Sequence, residues 1–199
     1  WPSPTHCWAS CTPWPTRPAP PLRTTNVPLI HVELDNSIDY MEIKAMPKGA
    51  GCGTWSTLQI FPPHVGIEGV KKFVVDSVLR AGSNPCPPLI VGVGIGGPLE
   101  EVARLATEAT ARPIDQRHPE ADIAQLEEEL RAALNMSQIG PMGMGGDTTA
   151  LAVNIEYSGT HRPWMPVAVN INCWPGRKAV CRIYKDGTVK QMRKEDSHV

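Results

Sequence analysis

Apolar residues recur along the chain with two periods, and these periods predict both strands and helices. Leu89–Ile95 is a continuous apolar run typical of a buried strand. Gly66–Arg80 carries apolar residues at helical spacing, with Gly82 as its stop signal. The other predicted elements are helices over Leu99–Ala109 and Ile123–Leu134 and strands over Ala150–Tyr157, Met165–Ile171 and Ala179–Tyr184.

Two short β-rich runs precede these elements. Val27–Leu34 and Tyr40–Met46 flank the turn-forming Asp35-Asn36-Ser37, which predicts an antiparallel pair. Lys48–Gly51 then breaks the second run. Residues 27–187 are therefore expected to form one α+β domain, in which a mixed sheet of several strands packs against a layer of about three helices.

The two ends of the chain differ from this central region. Residues 1–26 hold seven of the 21 prolines, three of the six tryptophans and no acidic residue. Proline removes backbone donors and restricts the residue before it, so this arm is expected to be extended and disordered. Its composition is typical of G/C-rich DNA read out of frame, and we expect the arm to be foreign to the fold. Residues 188–199 are predicted to form a charged tail.

Charge and hydropathy exclude several classes of function. The net charge of −1 provides no basic field for nucleic acid, and no apolar run is long enough to span a bilayer. The first residues carry no secretory signal pattern, so a cytoplasmic protein with reduced thiols is expected. Its six cysteines are Cys7, Cys11, Cys52, Cys86, Cys173 and Cys181.

A glycine motif follows the predicted strand Leu89–Ile95. Gly92–Gly97 satisfies G-x-G-x-x-G, but a dinucleotide site needs a second strand ending in an acid about 20 residues later. That place holds Thr110–Asp115, which is short and interrupted by proline. Close packing of a helix on the strand is therefore favoured over a nucleotide site, and amides facing an anion remain an alternative.

Several loops carry candidate chemistry. Prolines flank Cys86 and would fix its thiolate, and Arg177 and Lys178 would favour a thiolate at Cys173. The chain has no C-x-x-C pair, so each cysteine could instead be a small buried hydrophobe. His161, in a polar loop, could donate to a carboxylate or simply be solvated. The glycines of Gly140–Gly146 indicate an anion-binding nest and plain turn geometry equally.

Five segments carry a family resemblance in a fixed order: Asn26–Glu33, Met46–Gly51, Pro85–Gly97, Ile139–Ile155 and His161–Cys173. Together they closely resemble the α-subunit, or N-terminal part, of the class I iron–sulfur hydro-lyases, the fumarate hydratase and L-tartrate dehydratase family. The resemblance covers about residues 26 to 187, and the ordered set is far more specific than any one of its motifs.

The resemblance implies a chemistry for four of these residues. Cys86 and Cys173 fall on two of the three cysteine ligands of a [4Fe–4S] cluster, and His161 and Gly51 fall on positions that contact the substrate. The implied reaction adds or removes water on a small dicarboxylate, either fumarate/malate or tartrate. The catalytic base is unknown in this chain, because the family places it in a β-subunit or a C-terminal swivelling domain. A higher oligomer is also expected.

The chain departs from the family pattern at two places. It lacks the upstream Pro-x-Cys-Gln-Asp-Thr-Gly-like motif that provides the third cluster ligand, and it has Cys52 where the family has serine. Cys7, Cys11, Cys52 and Cys181 have no assigned role. We therefore expect an incomplete α-subunit that is inactive by itself. The alternative is a catalytically inactive α+β module that binds a partner subunit or a metal; a nucleotide-binding domain is a weaker third possibility.

Overall fold

The structure, a computed structural model, describes residues 30–35 and 37–192, and the chain divides into the units Trp1–Asp39 and Tyr40–Val199. In the first unit, the described residues 30–35 and 37–39 contain no helix or strand. Ile30, Val32 and Leu34 are exposed there, so the predicted strand is wrong over the part that is described. The expectations for residues 1–26, including Cys7 and Cys11, lie outside the described residues.

The described part of the second unit forms seven strands and four α-helices. The strands are β1 (Tyr40–Ala45), β2 (Thr57–Phe61), β3 (Leu89–Ile95), β4 (Ala150–Tyr157), β5 (Met165–Asn172), β6 (Ala179–Tyr184) and β7 (Val189–Met192). The helices are α1 (Ala50–Trp55), α2 (Gly66–Ala81), α3 (Leu99–Ala111) and α4 (Ala121–Asn135). Single 3-10 turns precede α2 and follow α4.

The strands form two sheets. The larger has the order β2-β5-β3-β4, in which β3 and β4 are parallel and β5 is antiparallel to both of its neighbours. The smaller sheet has the order β1-β6-β7 and is antiparallel. The α+β class with a mixed sheet is thus confirmed. The predicted pairing of the two N-terminal runs is wrong, because Tyr40–Ala45 pairs with Ala179–Tyr184.

The helices cover both faces of the larger sheet instead of one. Alternate residues of β3, β4 and β5 join α2 and α4 in the main apolar core, where Val74, Leu130 and Ile171 are fully buried. The remaining residues of these strands point toward α3, which contributes Val102 and Ala106 to a second, smaller cluster. This alternation follows from the two-residue period of a strand with helices on each face.

Glycines on β3 allow α3 to lie directly on the sheet. A Cβ atom at Gly92 would lie 2.2 Å from the carbonyl oxygen of Ala106, and one at Gly94 would lie 2.2 Å from that of Val102. No side chain fits at such a distance. The structural interpretation of the Gly92–Gly97 motif, as a device for close helix packing, is therefore confirmed.

A buried ion pair joins the two helical layers across β4. The Glu127 carboxylate on α4 is fully buried, and it accepts hydrogen bonds from the Arg112 guanidinium and from the backbone amide of Ile155 at 2.8 Å. Its second oxygen accepts from the amide of His118 at 3.2 Å. Charges this deep depend on such partners, and of the polar atoms of this pair only the buried Nε of Arg112 is recorded without one. Arg112 and Glu127 therefore fix α3, α4 and β4 together.

Three elements were not expected from the sequence. Helix α1 begins within the glycine-rich Lys48–Gly51, strand β2 follows it, and β7 lies within the segment predicted as a charged tail. Over the parts of the chain that the structure describes, each helix is too short or too polar to cross a membrane.

Candidate functional site

The loops of Cys86 and Cys173 meet at one end of the larger sheet. Cys86 precedes β3 and Cys173 follows β5, and the antiparallel register aligns Ile90 with Asn172. The backbone amide of Trp174 donates to the carbonyl of Cys86 at 3.4 Å, so the two loops are in direct contact. The structure thus brings together the two cysteines that the sequence singled out.

The Cys86 thiol is held in a constrained turn. Its backbone has a positive φ of 56°, which side-chain-bearing residues rarely adopt, and its amide donates to the Ser83 carbonyl at 3.0 Å. The thiol lies 4.0 Å from the Asn84 carbonyl oxygen, and the side chain is half-buried. Backbone strain of this kind persists only where the surrounding structure imposes it, and it is common at functional sites.

Helix α1 brings Gly51 and Cys52 against the Cys86 loop. A Cβ atom at Gly51 would lie 3.1 Å from the carbonyl oxygen of Asn84, so a glycine permits this close approach. The next residue, Cys52, is 3% exposed and directs its thiol at the carbonyl of Pro85, 3.8 Å away. Gly51 therefore lies against the loop that carries Cys86, and its contact with the substrate stays a prediction.

Cys52 is a site residue to which the sequence assigned no role. Its thiol lies close enough to Cys173 for the two residues to interact electrostatically. Burial, and next the Cys173 side chain, raise the pKa of Cys52 to about 11. The thiol is thus protonated at neutral pH. The signal that could have identified it is its place in the chain, directly after the glycine that approaches the Cys86 loop.

A lysine lies on the other side of Cys52. The Lys48 ammonium donates to the Asn170 side-chain oxygen and, at 3.0 Å, to the Ser56 hydroxyl. Burial of the ammonium lowers the pKa of Lys48, although part of the side chain remains exposed. Within the described residues it forms no ion pair with a carboxylate. The site therefore contains a cation that is held by neutral groups next to the Cys52 thiol.

The glycine loop Gly140–Gly146 lies against the loop that carries Cys86. The backbone amide of Met142 donates to the Pro87 carbonyl at 2.8 Å. A Cβ atom at Gly143 would lie 2.3 Å from the Cβ atom of Ser83. Met142 and Met144 are exposed, as is Trp174. The loop thus borders the site and presents apolar side chains to solvent around it.

His161 lies at the opposite end of the sheet. It belongs to the loop from β4 to β5, whereas Cys173 comes after the other end of β5. The eight residues of β5 span roughly 24 Å at about 3.4 Å per residue. The structure therefore brings Gly51, Cys86 and Cys173 together and leaves His161 apart from them within one chain.

Comparison with known proteins identifies similar sequences. Residues 20–182 match the model of the family described as Fumarate hydratase (Fumerase). A Methanocaldococcus jannaschii protein, provisionally named L(+)-tartrate dehydratase subunit alpha, is 47% identical over 162 residues, or 81% of this chain. The L(+)-tartrate dehydratase alpha subunits of Escherichia coli strains UTI89 and K12 are 35% and 34% identical over 168 residues, or 84% of this chain. The matched regions span 57% of the first relative and 55% of the other two.

Proposed function

Because the chain belongs to the fumarate hydratase (Fumerase) family, we propose that it is the α-type part of an iron–sulfur hydro-lyase acting on fumarate/malate or tartrate. The observation that supports this proposal is the backbone contact between the Cys86 and Cys173 loops, which lie at the same end of the larger sheet. Tartrate is favoured by the names of the relatives.

The residues present fit part of an iron–sulfur ligand set. Thiolates are the ligands such clusters prefer, and Cys86 and Cys173 are half-buried thiols outside any disulfide. Within residues 30–35 and 37–192, no three His, Cys, Asp or Glu side chains are placed to hold a single metal ion. The two thiols are thus two of the three ligands that the proposal requires. When bound, the cluster would stabilise the charge that develops on the departing hydroxyl.

The chain's own residues would hold the dicarboxylate. Lys48 offers its ammonium to a carboxylate, and the hydrogen bonds of that ammonium to Ser56 and Asn170 fix the direction of the charge. Gly51 keeps the neighbouring backbone free of side-chain bulk. Anchoring a carboxylate in this way sets the geometry of an elimination before the reaction begins.

His161 would contact substrate from a second copy of the chain. Since β5 separates it from Cys173, a site that uses both residues needs two copies, in agreement with the expected oligomer. The test mixes Cys173→Ser and His161→Ala variants, each inactive when assembled with the partner subunit. Recovery of activity on mixing is expected, because one site then has both residues intact. Equal inactivity of the mixture and the two variants would contradict a shared site.

A second subunit or domain completes the proposed enzyme. The relatives are named alpha subunits, which supports a β-subunit, or an equivalent swivelling domain, as the source of the catalytic base. The chain alone is then inactive. Thiolate ligands require a reducing compartment, so the proposal places the protein in the cytoplasm.

Anaerobic reconstitution of the full chain with iron and sulfide tests the proposal. Iron content and visible absorbance are measured for the wild type and for Cys86→Ser, Cys173→Ser and, as the matched control, Cys181→Ser. We expect loss of bound iron in the first two variants only. Iron binding that is unchanged in both would favour the alternative, an inactive module that binds a partner. Hydration assays with and without the β-subunit then test for the inactivity of the chain alone.

A further inference from the structure

Three large apolar side chains are exposed at the end of the larger sheet that carries the cysteine loops. Met142 and Met144 belong to the loop Gly140–Gly146, and Trp174 directly follows Cys173. The three residues are 54%, 87% and 56% exposed, respectively, and we call them the apolar rim. The proposed chemistry uses none of them, so their exposure at the border of the site needs another explanation.

Backbone hydrogen bonds hold the apolar rim in place. The Met142 amide donates to the Pro87 carbonyl at 2.8 Å, and the Trp174 amide donates to the Cys86 carbonyl at 3.4 Å. The Met144 amide donates to a carbonyl within its own turn at 3.0 Å. Because these bonds fix the backbone of all three residues against the cysteine loops or within a tight turn, the rim is a defined surface beside the site.

The backbone of Met142 indicates that its side chain has a role outside the chain's own core. Its φ of 54° and ψ of 16° are left-handed, a conformation that glycine adopts without strain and methionine does not. The same seven-residue loop already holds four glycines. Since more than half of the Met142 side chain is exposed, packing within the described part of the unit does not account for a methionine here. Strain of this kind is common where a protein binds another molecule.

We propose that the apolar rim is the docking surface for the β-type subunit, which covers Met142 and Met144 and closes the site over the two cysteine loops. This rests on the proposed function, in which a second subunit brings the catalytic base. That base must come within reach of a substrate held at the cysteine loops, so the subunit has to settle on the surface that borders them.

The chemistry of the rim fits a protein partner with an apolar pocket. Methionine and tryptophan are enriched at the centres of protein interfaces, and charged residues are depleted there. No residue of Gly140–Gly146 is charged. Methionine side chains are flexible and polarisable, so on a fixed backbone they can adapt to the shape of such a pocket.

Calorimetric titration of the full chain with the purified β-subunit, under anaerobic conditions, tests the proposal. Met142→Asn removes the apolar side chain but keeps a residue that tolerates the left-handed conformation. We expect its dissociation constant to rise about tenfold, as for the loss of an apolar anchor, while the urea midpoint of the chain alone is unchanged or higher. Met144→Ser should weaken binding in the same direction.

Two control variants separate the rim from general effects. Met142→Leu keeps an apolar side chain of similar volume at the same backbone position, and it should retain the wild-type dissociation constant. Leu99→Ala removes an exposed apolar side chain at the start of α3, which follows the opposite end of β3, and it should also bind as the wild type does.

Wild-type affinity in either Met142→Asn or Met144→Ser would overturn the docking surface, and so would a wild-type chain that does not bind the β-subunit. If these variants instead abolish self-association of the chain and leave β-subunit binding unchanged, the rim belongs to a second copy and the proposal is wrong. Iron uptake, measured in parallel, tests the proposed function separately. A chain that takes up no iron but loses β-subunit affinity in both variants would refute the iron–sulfur assignment and leave the docking surface standing.

Discussion

Replacing Gly94 by alanine would place a methyl group inside the interface between β3 and α3. The added Cβ would lie 2.2 Å from the carbonyl oxygen of Val102 and 2.8 Å from the amide nitrogen of Ala106. Both atoms belong to the helix backbone, which no rotation of a side chain can move out of the way. Ordinary contacts begin at about 3.4 Å, so α3 would have to move away by about 1.2 Å.

The cost of that movement follows from what α3 buries. Val102 and Ala109 are fully buried, and Ala106 is 1% exposed, so the whole inner face of the helix loses contact when it moves. Overpacking typically costs about 1–3 kcal/mol. Since a backbone must yield here, we expect a loss of about 3 kcal/mol in the free energy of unfolding.

Urea unfolding followed by far-ultraviolet circular dichroism measures this loss. Gly159→Ala is the matched control, because a Cβ atom there meets nothing within 4 Å and the backbone is not left-handed. Its effect should be within about 0.5 kcal/mol. A Gly94→Ala variant as stable as this control would refute the close-packing argument; a chain that no longer folds would agree with it.

Three other perturbations test contacts in the same unit. Glu127→Gln leaves the Arg112 guanidinium with the Glu156 carboxylate, 3.6 Å away, as its remaining charged partner. We therefore expect urea unfolding to show a loss of about 3 kcal/mol, at the low end for a broken buried pair; a loss below about 1 kcal/mol would contradict the buried pair. Asn135→Ala removes a side-chain oxygen that accepts hydrogen bonds from two backbone amides at the start of β4, each at 2.8 Å. We expect the free energy of unfolding to fall by about 1–3 kcal/mol and the amides over 140–146 to exchange hydrogen faster. Unchanged hydrogen exchange would contradict this prediction. Burial raises the pKa of Cys52 from 9.0 to about 11, so the unfolded chain releases this proton first and the metal-free protein loses stability as the pH rises between those values, by roughly 2 kcal/mol. In urea unfolding at several pH values, Cys52→Ala should flatten that slope, and an unchanged slope would contradict the assignment.

Local patterns in the sequence predicted several of the strands and helices well. Leu89–Ile95, Ala150–Tyr157 and Ala179–Tyr184 are strands with the predicted bounds, and α2 ends one residue beyond its prediction. These segments have strong periodicity or continuous apolar runs, and burial on one or both faces follows directly from such patterns. The packing role of Gly92–Gly97 was also foreseeable, because the motif lacked the second strand of a nucleotide-binding unit.

Partners that are distant in sequence were not predictable in the same way. The run Tyr40–Met46 pairs with β6 and not with its neighbour in sequence, because pairing depends on which edge the rest of the fold leaves open. Helix α1 was missed since Ala50–Trp55 contains two glycines, and its formation depends on packing against β5 and the Cys86 loop. The contacts within the candidate site were likewise not predictable where they join residues distant in sequence. The resemblance selected Cys86 and Cys173, whereas Cys52 meets the Pro85 carbonyl beside Cys86 only once α1 is in place.

The register of the smaller sheet determines the order in which the unit closes during folding. Strands β6 and β7 are joined by a short turn and can pair as soon as both have left the ribosome. Strand β1 can pair only after β6 has been synthesised, because Tyr40 pairs with Tyr184, which lies far along the chain. The entropy of closing so long a loop is lost before any contact compensates for it. We therefore expect the amides of β1 to be the last in this sheet to become protected from hydrogen exchange in a refolding experiment. Their protection would show that the chain between β1 and β6 has folded.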